Sequence, residues 1–134
     1  MSGETDLQKL LRGMKPELNA GEYVFCILDS VQHAAGLNPL CMFQEQEAVT
    51  VILSRQQADK AALPYSLVCA WITLTVHSAL EAVGLTSAVS KALAESNISC
   101  NMVAAYYHDH IFIPTQDAPH AMDVLLQLTK QEIL

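Results

Sequence analysis

The order of apolar segments in the second half of the chain constrains the fold more than any other feature. Period-two runs, typical of strands, lie at 67–76, 98–107 and 111–114, and helical spacing lies at 85–96 and after Asp117. The predicted order is strand, helix, strand, strand, helix. This order favours an antiparallel sheet with helices on one face, which is the ferredoxin-like plan with one strand missing.

Small polar residues predict where the first of these helices begins and ends. Leu85, Val89 and Leu93 share its apolar face. Thr86 or Ser87 can cap its start, and Asn97 suits the left-handed residue that closes a helix.

The first half has weaker signals. They predict a helix from Leu7 after Thr5 or Asp6, a turn between Pro16 and Gly21, strands at 23–28, 40–44 and 48–53, a loop at 31–39, and a helix at 56–62. Its end, VTVILSRQQADKAAL, is similar in pattern to HIFIPTQDAPHAMDVL of the second half. The first half could therefore lend the missing strand. We predict two related halves, 1–65 and 66–134, that fold as one compact unit.

Composition limits the classes of partner. The 134 residues are 51% hydrophobic and 16% charged, which is enough for a well-filled core and favours self-association. The net charge of −7 comes from scattered acidic residues, without a cluster of lysine or arginine. We therefore expect neither nucleic acid nor an anionic membrane surface as a partner.

Cysteine usage and the N-terminus predict a cytoplasmic protein. Cys26, Cys41, Cys69 and Cys100 form no CxxC pair and have no zinc-like spacing, and three of them lie in apolar runs. Buried free thiols suit a reducing compartment. The first residues lack the apolar stretch of a signal peptide, and the longest apolar run is about half of what a membrane helix needs.

The group that most invites a catalytic interpretation is Tyr107, His108, Asp109 and His110. Histidines two apart on a strand point to the same side, and His77 could complete a three-histidine site. A metal-dependent or acid–base enzyme is thus one alternative. However, the spacing matches no standard metal motif, and the chain has no GxSxG elbow or glycine-rich phosphate loop. We predict a structural or ligand-gating hairpin, with no catalytic residue, metal or cofactor.

The loop before the second-half helix is a better candidate for binding. The run VHSALEAVGL ends at Gly84, where glycine permits close approach of another group and the following helix offers its first amides to an anion such as a carboxylate. Asn101, on the neighbouring strand, can donate and accept hydrogen bonds. Together they suit a zwitterion. The alternative is an ordinary strand-to-helix connection.

The stretch HSALEAVGLTSAVSKALAESNISCNMVAA resembles the ACT-domain signature, which has a glycine-bearing loop, a helix and a turn into a strand. The resemblance is to the ACT modules of aspartokinases and to small stand-alone ACT-like proteins with a similar HDHIF hairpin. It covers roughly 71–128, with a fainter extension over the first half. It implies a ferredoxin-like βαββαβ sandwich.

The resemblance also implies a regulatory role without catalysis. In this family two ACT units usually associate and an amino acid binds at their interface, so a homodimer is expected. The residues that the resemblance implies in ligand binding are Val83, Gly84 and Leu85 through their backbone, and Asn97, Ile98 and Asn101 on the opposing side. We add His77 and Ser78 of the same loop, where the family more commonly has an acidic or small residue with a proline. A protein–protein interaction module without a ligand is a further alternative.

Overall fold

The computed structural model describes residues 6–76 and 84–130, and the fold divides into two compact units. Residues 20–70 form the inserted unit. The described residues up to Asn19 and from Trp71 onwards form the flanking unit. The predicted boundary at 65/66 lies five residues before this one at 70/71, and the segment before Ala20 belongs with the C-terminal part. That the halves fold as one unit stays a prediction.

The elements are numbered here in chain order. They are α1 (Leu7–Gly13), β1 (Lys15–Leu18), β2 (Tyr23–Leu28), a 3-10 turn (Val31–Ala34), β3 (Cys41–Gln44), β4 (Val49–Ser54), α2 (Arg55–Lys60), β5 (Val68–Thr75), α3 (Leu85–Glu95), β6 (Asn101–Ala104), β7 (Asp109–Pro114), a 3-10 turn (Thr115–Asp117) and α4 (Ala118–Thr129).

The inserted unit is a small antiparallel sheet in the order β3, β4, β2, with the first residues of β5 beside β2. The strands are rich in branched and aromatic residues, which fit a pleated surface. The helix α2 starts at Ser54, whose hydroxyl accepts a hydrogen bond from the Gln57 amide at 3.2 Å. The core on the helical side of this sheet consists of Val24, Cys26, Leu28, Val49, Val51, Leu53 and Ala58.

The flanking unit has the order β1, β5, β7, β6 and carries α1, α3 and α4. The strand missing from the second half is β1, which pairs antiparallel with β5. Both units thus follow the ferredoxin-like plan, and the predicted fold of two related halves is confirmed. The largest fully buried side chains of this unit are Leu10, Leu11, Ile72, Leu74, Leu93, Ile111, Phe112, Ile113 and Leu125.

The turn predicted between Pro16 and Gly21 lies at 19–22 and is shorter than expected, because Pro16 lies inside β1. A proline has no amide proton to donate and breaks a central strand. The proline is tolerated because β1 pairs with β5 alone among the described strands. No strand on the other edge of β1 requires the amide proton that Pro16 lacks.

The ends of α3 differ from the prediction at one terminus and agree at the other. The N-cap is Gly84 rather than Thr86 or Ser87, which lie inside the helix. Asn97 has the predicted left-handed backbone, with φ of 59°. The amides of Asn97 and Ile98 donate to the carbonyls of Ala94 and Leu93, both at 2.9 Å, which is a Schellman closure. Because this closure holds 97–98, β6 starts at Asn101 and not at 98.

Candidate functional site

Gly84 opens α3 in a conformation that favours glycine. Its φ is 105°, and as a glycine this N-cap residue has no side chain of its own to cap the first amides of the helix. A Cβ built at Gly84 would lie 3.1 Å from the Leu7 side chain, so α1 packs against this point of the backbone. Another group does approach Gly84 closely, as predicted. On the side where a Cβ would point, that group is the side chain of Leu7 and not a ligand.

Leu85 and Ile98 reach the site only through their backbones. Their side chains are each 3% exposed and belong to the core. His77, Ser78 and Val83 lie outside the described residues.

Gly84 and Asn97 lie at opposite ends of α3. With a rise of about 1.5 Å per residue, the helix separates them by about 20 Å. Within one flanking unit these two residues cannot contact the same small molecule. Asn101 starts β6, and its Nδ2 donates to the carbonyl of Phe112, its register partner, at 3.3 Å. Its amide oxygen can still accept a hydrogen bond.

The hairpin predicted around Tyr107–His110 is formed by β6 and β7, which pair antiparallel. Tyr106 and Tyr107 make the turn, while Asp109 and His110 lie inside β7. Strand alternation sends these two side chains to opposite faces. Asp109 is 8% exposed, and burial raises the pKa of its carboxyl group. The Nδ1 atom of His108 is buried without a hydrogen-bond partner.

His110 belongs to a polar network that the sequence did not suggest. Its Nδ1 accepts a hydrogen bond from Trp71 Nε1 at 3.0 Å and lies 3.2 Å from Thr73 Oγ1. Asn19 Nδ2 donates to Thr73 Oγ1 at 2.9 Å, and the Trp71 ring stacks on Phe112. We call Trp71, Thr73, Asn101, His110 and Phe112 the outer face of the flanking unit. The sequence signal for this face is the period-two spacing of Trp71 with Thr73 and of His110 with Phe112.

This network makes His110 a poor metal ligand or base. Because Nδ1 accepts from Trp71, the neutral ring carries its proton on Nε2 and offers no second lone pair. Burial lowers the pKa of His110, which favours that neutral form. Within the described ranges, no group of three or more His, Cys, Asp or Glu side chains could hold a metal ion.

The described cysteines are free thiols. Burial raises the pKa of Cys26, Cys69 and Cys100, so these thiols stay protonated at neutral pH. They are therefore poor nucleophiles.

The inserted unit has two open clefts. One of about 370 Å³ is lined by Tyr23, Asn38, Pro39, Leu40, Ser54 and Gln57, and one of about 430 Å³ lies beside Arg55. The guanidinium group of Arg55 donates to Glu22 at 3.1 Å and to Tyr65 at 2.9 Å. Its charge is already balanced by a carboxylate, which weakens this cleft as a site for an anion.

Comparison with solved structures shows a similar protein at high identity. The chain is 44% identical to a protein of unknown function from Vibrio cholerae, described as a possible transport protein, over 92% of this chain and 95% of that one, with a TM-score of 0.85. No curated protein sequence matches the chain. None of the helices in the described ranges combines the length and apolar character that spanning a bilayer requires.

Two more distant structures share the fold. A protein from Agrobacterium tumefaciens is 13% identical over 87% of this chain and 89% of that one, with a TM-score of 0.68. The ligand-free regulatory subunit of aspartate kinase from Thermus thermophilus is 10% identical over 84% of this chain and 95% of that one, with a TM-score of 0.58.

Family models give the assignment. One ACT-domain model matches residues 2–70, and a second matches residues 66–127. The first match alone spans more than half of the chain, and the two predicted halves each carry one. The chain therefore belongs to the ACT-domain family.

Proposed function

We propose that this chain is a regulatory ACT protein without catalytic activity, which binds an amino-acid-like molecule and works as a cytoplasmic homodimer. ACT domains are regulatory modules that bind small ligands, and the regulatory subunit of aspartate kinase shares this fold. The proposed contacts are the backbone of Val83, Gly84 and Leu85, the side chains of His77 and Ser78, and the opposing Asn97, Ile98 and Asn101.

The start of α3 is the observation that carries this proposal. A helix N-terminus has amides without intrahelical partners and carries the positive end of the helix dipole. Because the N-cap is Gly84, no side chain of that residue competes for these amides. A carboxylate fits such a position. The side chain of Leu7 already lies beside the Cα atom of Gly84. We therefore place the ligand against the backbone amides at the start of α3.

The separation of Gly84 from Asn97 supports a ligand held between two ACT units rather than inside one. A free amino acid is shorter than the length of α3, which is about 16 Å. Both segments belong to the flanking unit. One ligand can therefore meet the start of one α3 and the Asn97–Asn101 segment of another only between the flanking units of two copies of the chain. Binding of this kind would favour one pairing of units, which is how a module without an active site regulates a partner.

The experiment is calorimetric titration of the protein with the common amino acids. We expect one of them to bind, and Asn101→Ala to weaken that binding about tenfold, because a hydrogen bond to a charged ligand is lost. Gln127→Ala, which removes an exposed amide on α4, is the matched control and should bind like the wild type. No binding across the whole panel would contradict the proposal.

A further inference from the structure

Asp109 is a buried acid to which the proposed site gives no role. It is 8% exposed, and its side chain makes no hydrogen bond or ion pair with the described part of the chain. Buried carboxyl groups in native proteins nearly always have a partner. The Asp109 oxygens are not sealed off, because His108 Nδ1 is the only side-chain atom in the described ranges that is both fully buried and unpartnered. A ligand can therefore reach this carboxyl group.

The register of β5 against β7 places Asp109 at the end of the sheet where β5 stops. Trp71 stacks on Phe112, and Thr73 Oγ1 lies 3.2 Å from His110 Nδ1, so residue numbers rise along β5 as they fall along β7. The two strands are therefore antiparallel, and the first residue of β7 lies beside the last residues of β5. The strand β6 also ends here, opposite Asp109.

The helix α3 begins at this same end of the sheet. The chain leaves β5 here, and after α3 it enters β6 at Asn101, which lies opposite Phe112 towards the far end of β7. A helix of 11 residues is about 16 Å long and a strand of 6 residues is about 20 Å long, so α3 spans the return. Gly84 and Asp109 thus lie at one end of the flanking unit, and Asn97 lies at the other.

Asp109 also lies on the face of the sheet that the helices cover. Strand alternation puts its side chain on the same face as Ile111 and Ile113, which are both 0% exposed, and on the opposite face from His110. The carboxyl group therefore points towards the helical layer, at the end where the first amides of α3 lie. No hydrogen bond joins it to the described amides of that helix, so both the acid and the amides are open to another molecule.

We propose that Asp109 binds the ammonium group of the amino-acid-like ligand, while the first amides of α3 bind its carboxylate. The inference rests on the proposed function and adds a residue and a charge requirement to it. A helix N-terminus favours an anion and a carboxylate favours a cation. The two charged groups of an α-amino acid are joined through one carbon atom, so they suit binding groups of opposite sign at one end of a domain. A ligand with a single charge would leave one of these groups unpaired.

An ammonium group fits Asp109 better than a metal ion does. A divalent cation takes several protein ligands, and the described residues contain no group of three or more His, Cys, Asp or Glu side chains that could hold one. The neighbouring histidines do not occupy the acid either. His110 Nδ1 accepts from Trp71 on the outer face, and His108 Nδ1 has no partner. One carboxylate is sufficient for one ammonium group.

Calorimetric titration with the common amino acids, followed by a second probe, tests the inference. The second probe is the 2-hydroxy acid of the amino acid that binds, which keeps the carboxylate and the side chain but has a neutral hydroxyl in place of the ammonium group. We expect Asp109→Asn to weaken binding of the amino acid about 30-fold, because a hydrogen bond between two charged groups is lost. Binding of the hydroxy acid, measured by competition, should change less than about threefold. Asp123→Asn, which removes the same charge from an exposed position on α4, is the matched control and should bind both probes like the wild type.

The ratio of the two affinities decides the outcome. The wild type should bind the amino acid about 30-fold more tightly than the hydroxy acid, and this ratio should fall to about threefold or less in Asp109→Asn. A ratio that stays at its wild-type value in the folded variant, checked by circular dichroism, would overturn the inference and leave the proposed function standing. A wild type that binds both probes equally would overturn it as well, without any variant. A wild type that binds no amino acid would contradict the proposed function and the inference together.

Discussion

The outer faces of the two units differ in chemistry although both units have the same fold. In the flanking unit, Phe112 is 2% exposed under Trp71, and Thr73 is 8% exposed within the network around His110. The outer face of the inserted unit is the side of its sheet that faces away from its core cluster, and there Ile27 and Phe43 are about two-thirds exposed. The fold thus fixes which side chains share a face, while the residue types decide whether those side chains are buried within the chain or stay exposed.

The segment that follows β5 differs from the segment that follows β2. After β5 comes α3, with 11 residues, in the flanking unit, and after β2 comes a 3-10 turn of 4 residues in the inserted unit. Both are followed, before the next strand, by an asparagine with positive φ, Asn97 at 59° and Asn38 at 51°. Both units therefore have a left-handed asparagine before the strand that follows, but only the flanking unit has an α-helix at this place. Because only the flanking unit has an α-helical N-terminus here, we place the ligand there.

The largest expected effect separates the two outer faces by stability. Phe112→Ala should lower the free energy of unfolding by about 3–5 kcal/mol, because it leaves a cavity beside Trp71. Phe43→Ala should cost under about 1 kcal/mol at a concentration that keeps the chain monomeric, because that side chain is mostly in water already. Urea unfolding measures both. Equal losses of unfolding free energy in the two variants would show that Phe112 and Phe43 are packed to the same extent, which would contradict the comparison.

A smaller effect compares one glycine in each unit. Gly84 and Gly36 both have positive φ, so alanine strains the backbone at either position by about 1 kcal/mol. At Gly84 the new methyl group also meets Leu7 at 3.1 Å, whereas at Gly36 nothing lies within 4 Å. We therefore expect Gly84→Ala to lower the melting temperature more than Gly36→Ala does. The double change Gly84→Ala with Leu7→Ala should remove that difference if the contact is its cause.

Much of the fold could be predicted because the strongest signals are local. The spacing of Leu85, Val89 and Leu93 predicts α3, and all three are buried on one face of it. The strand β1 could not be predicted, since KPEL has little strand propensity and pairs with β5 through more than 50 residues of intervening chain. The segment forms a strand because its backbone pairs with β5, not because of its own propensity.

The candidate site was less predictable, for a related reason. The left-handed asparagine and the glycine before α3 can be seen in the sequence, and the helix length already implies that Gly84 and Asn97 lie far apart. The contact of Leu7 with Gly84, and the bond from Trp71 to His110, depend on how distant segments meet. The two residues of each pair are far apart in the sequence, so no local pattern predicts either contact.

The smallest expected effect is a pH dependence that belongs to the flanking unit alone. Burial lowers the pKa of His110, so its contribution to stability is fully present above about pH 6.5 and is lost as the pH falls through its lower pKa in the folded state. The pKa of Asp109 is raised by burial, which gives a change of opposite sign, a loss as the pH rises above about 4. Because His110→Gln retains Asp109, comparing this variant with the wild type isolates the histidine.

Trp71 is the single tryptophan and lies in the flanking unit, so its fluorescence follows unfolding of that unit. Between neutral and mildly acidic pH, we expect the wild type to lose more of its free energy of unfolding than His110→Gln does. His33→Gln, which removes an exposed histidine of the inserted unit, should keep the wild-type slope. Equal slopes for the wild type and His110→Gln would mean that His110 accepts a proton as readily in the folded chain as in the unfolded one. The bond from the indole N–H would then be too weak to hold the ring neutral, and the polar network of the flanking unit would not distinguish the two outer faces energetically.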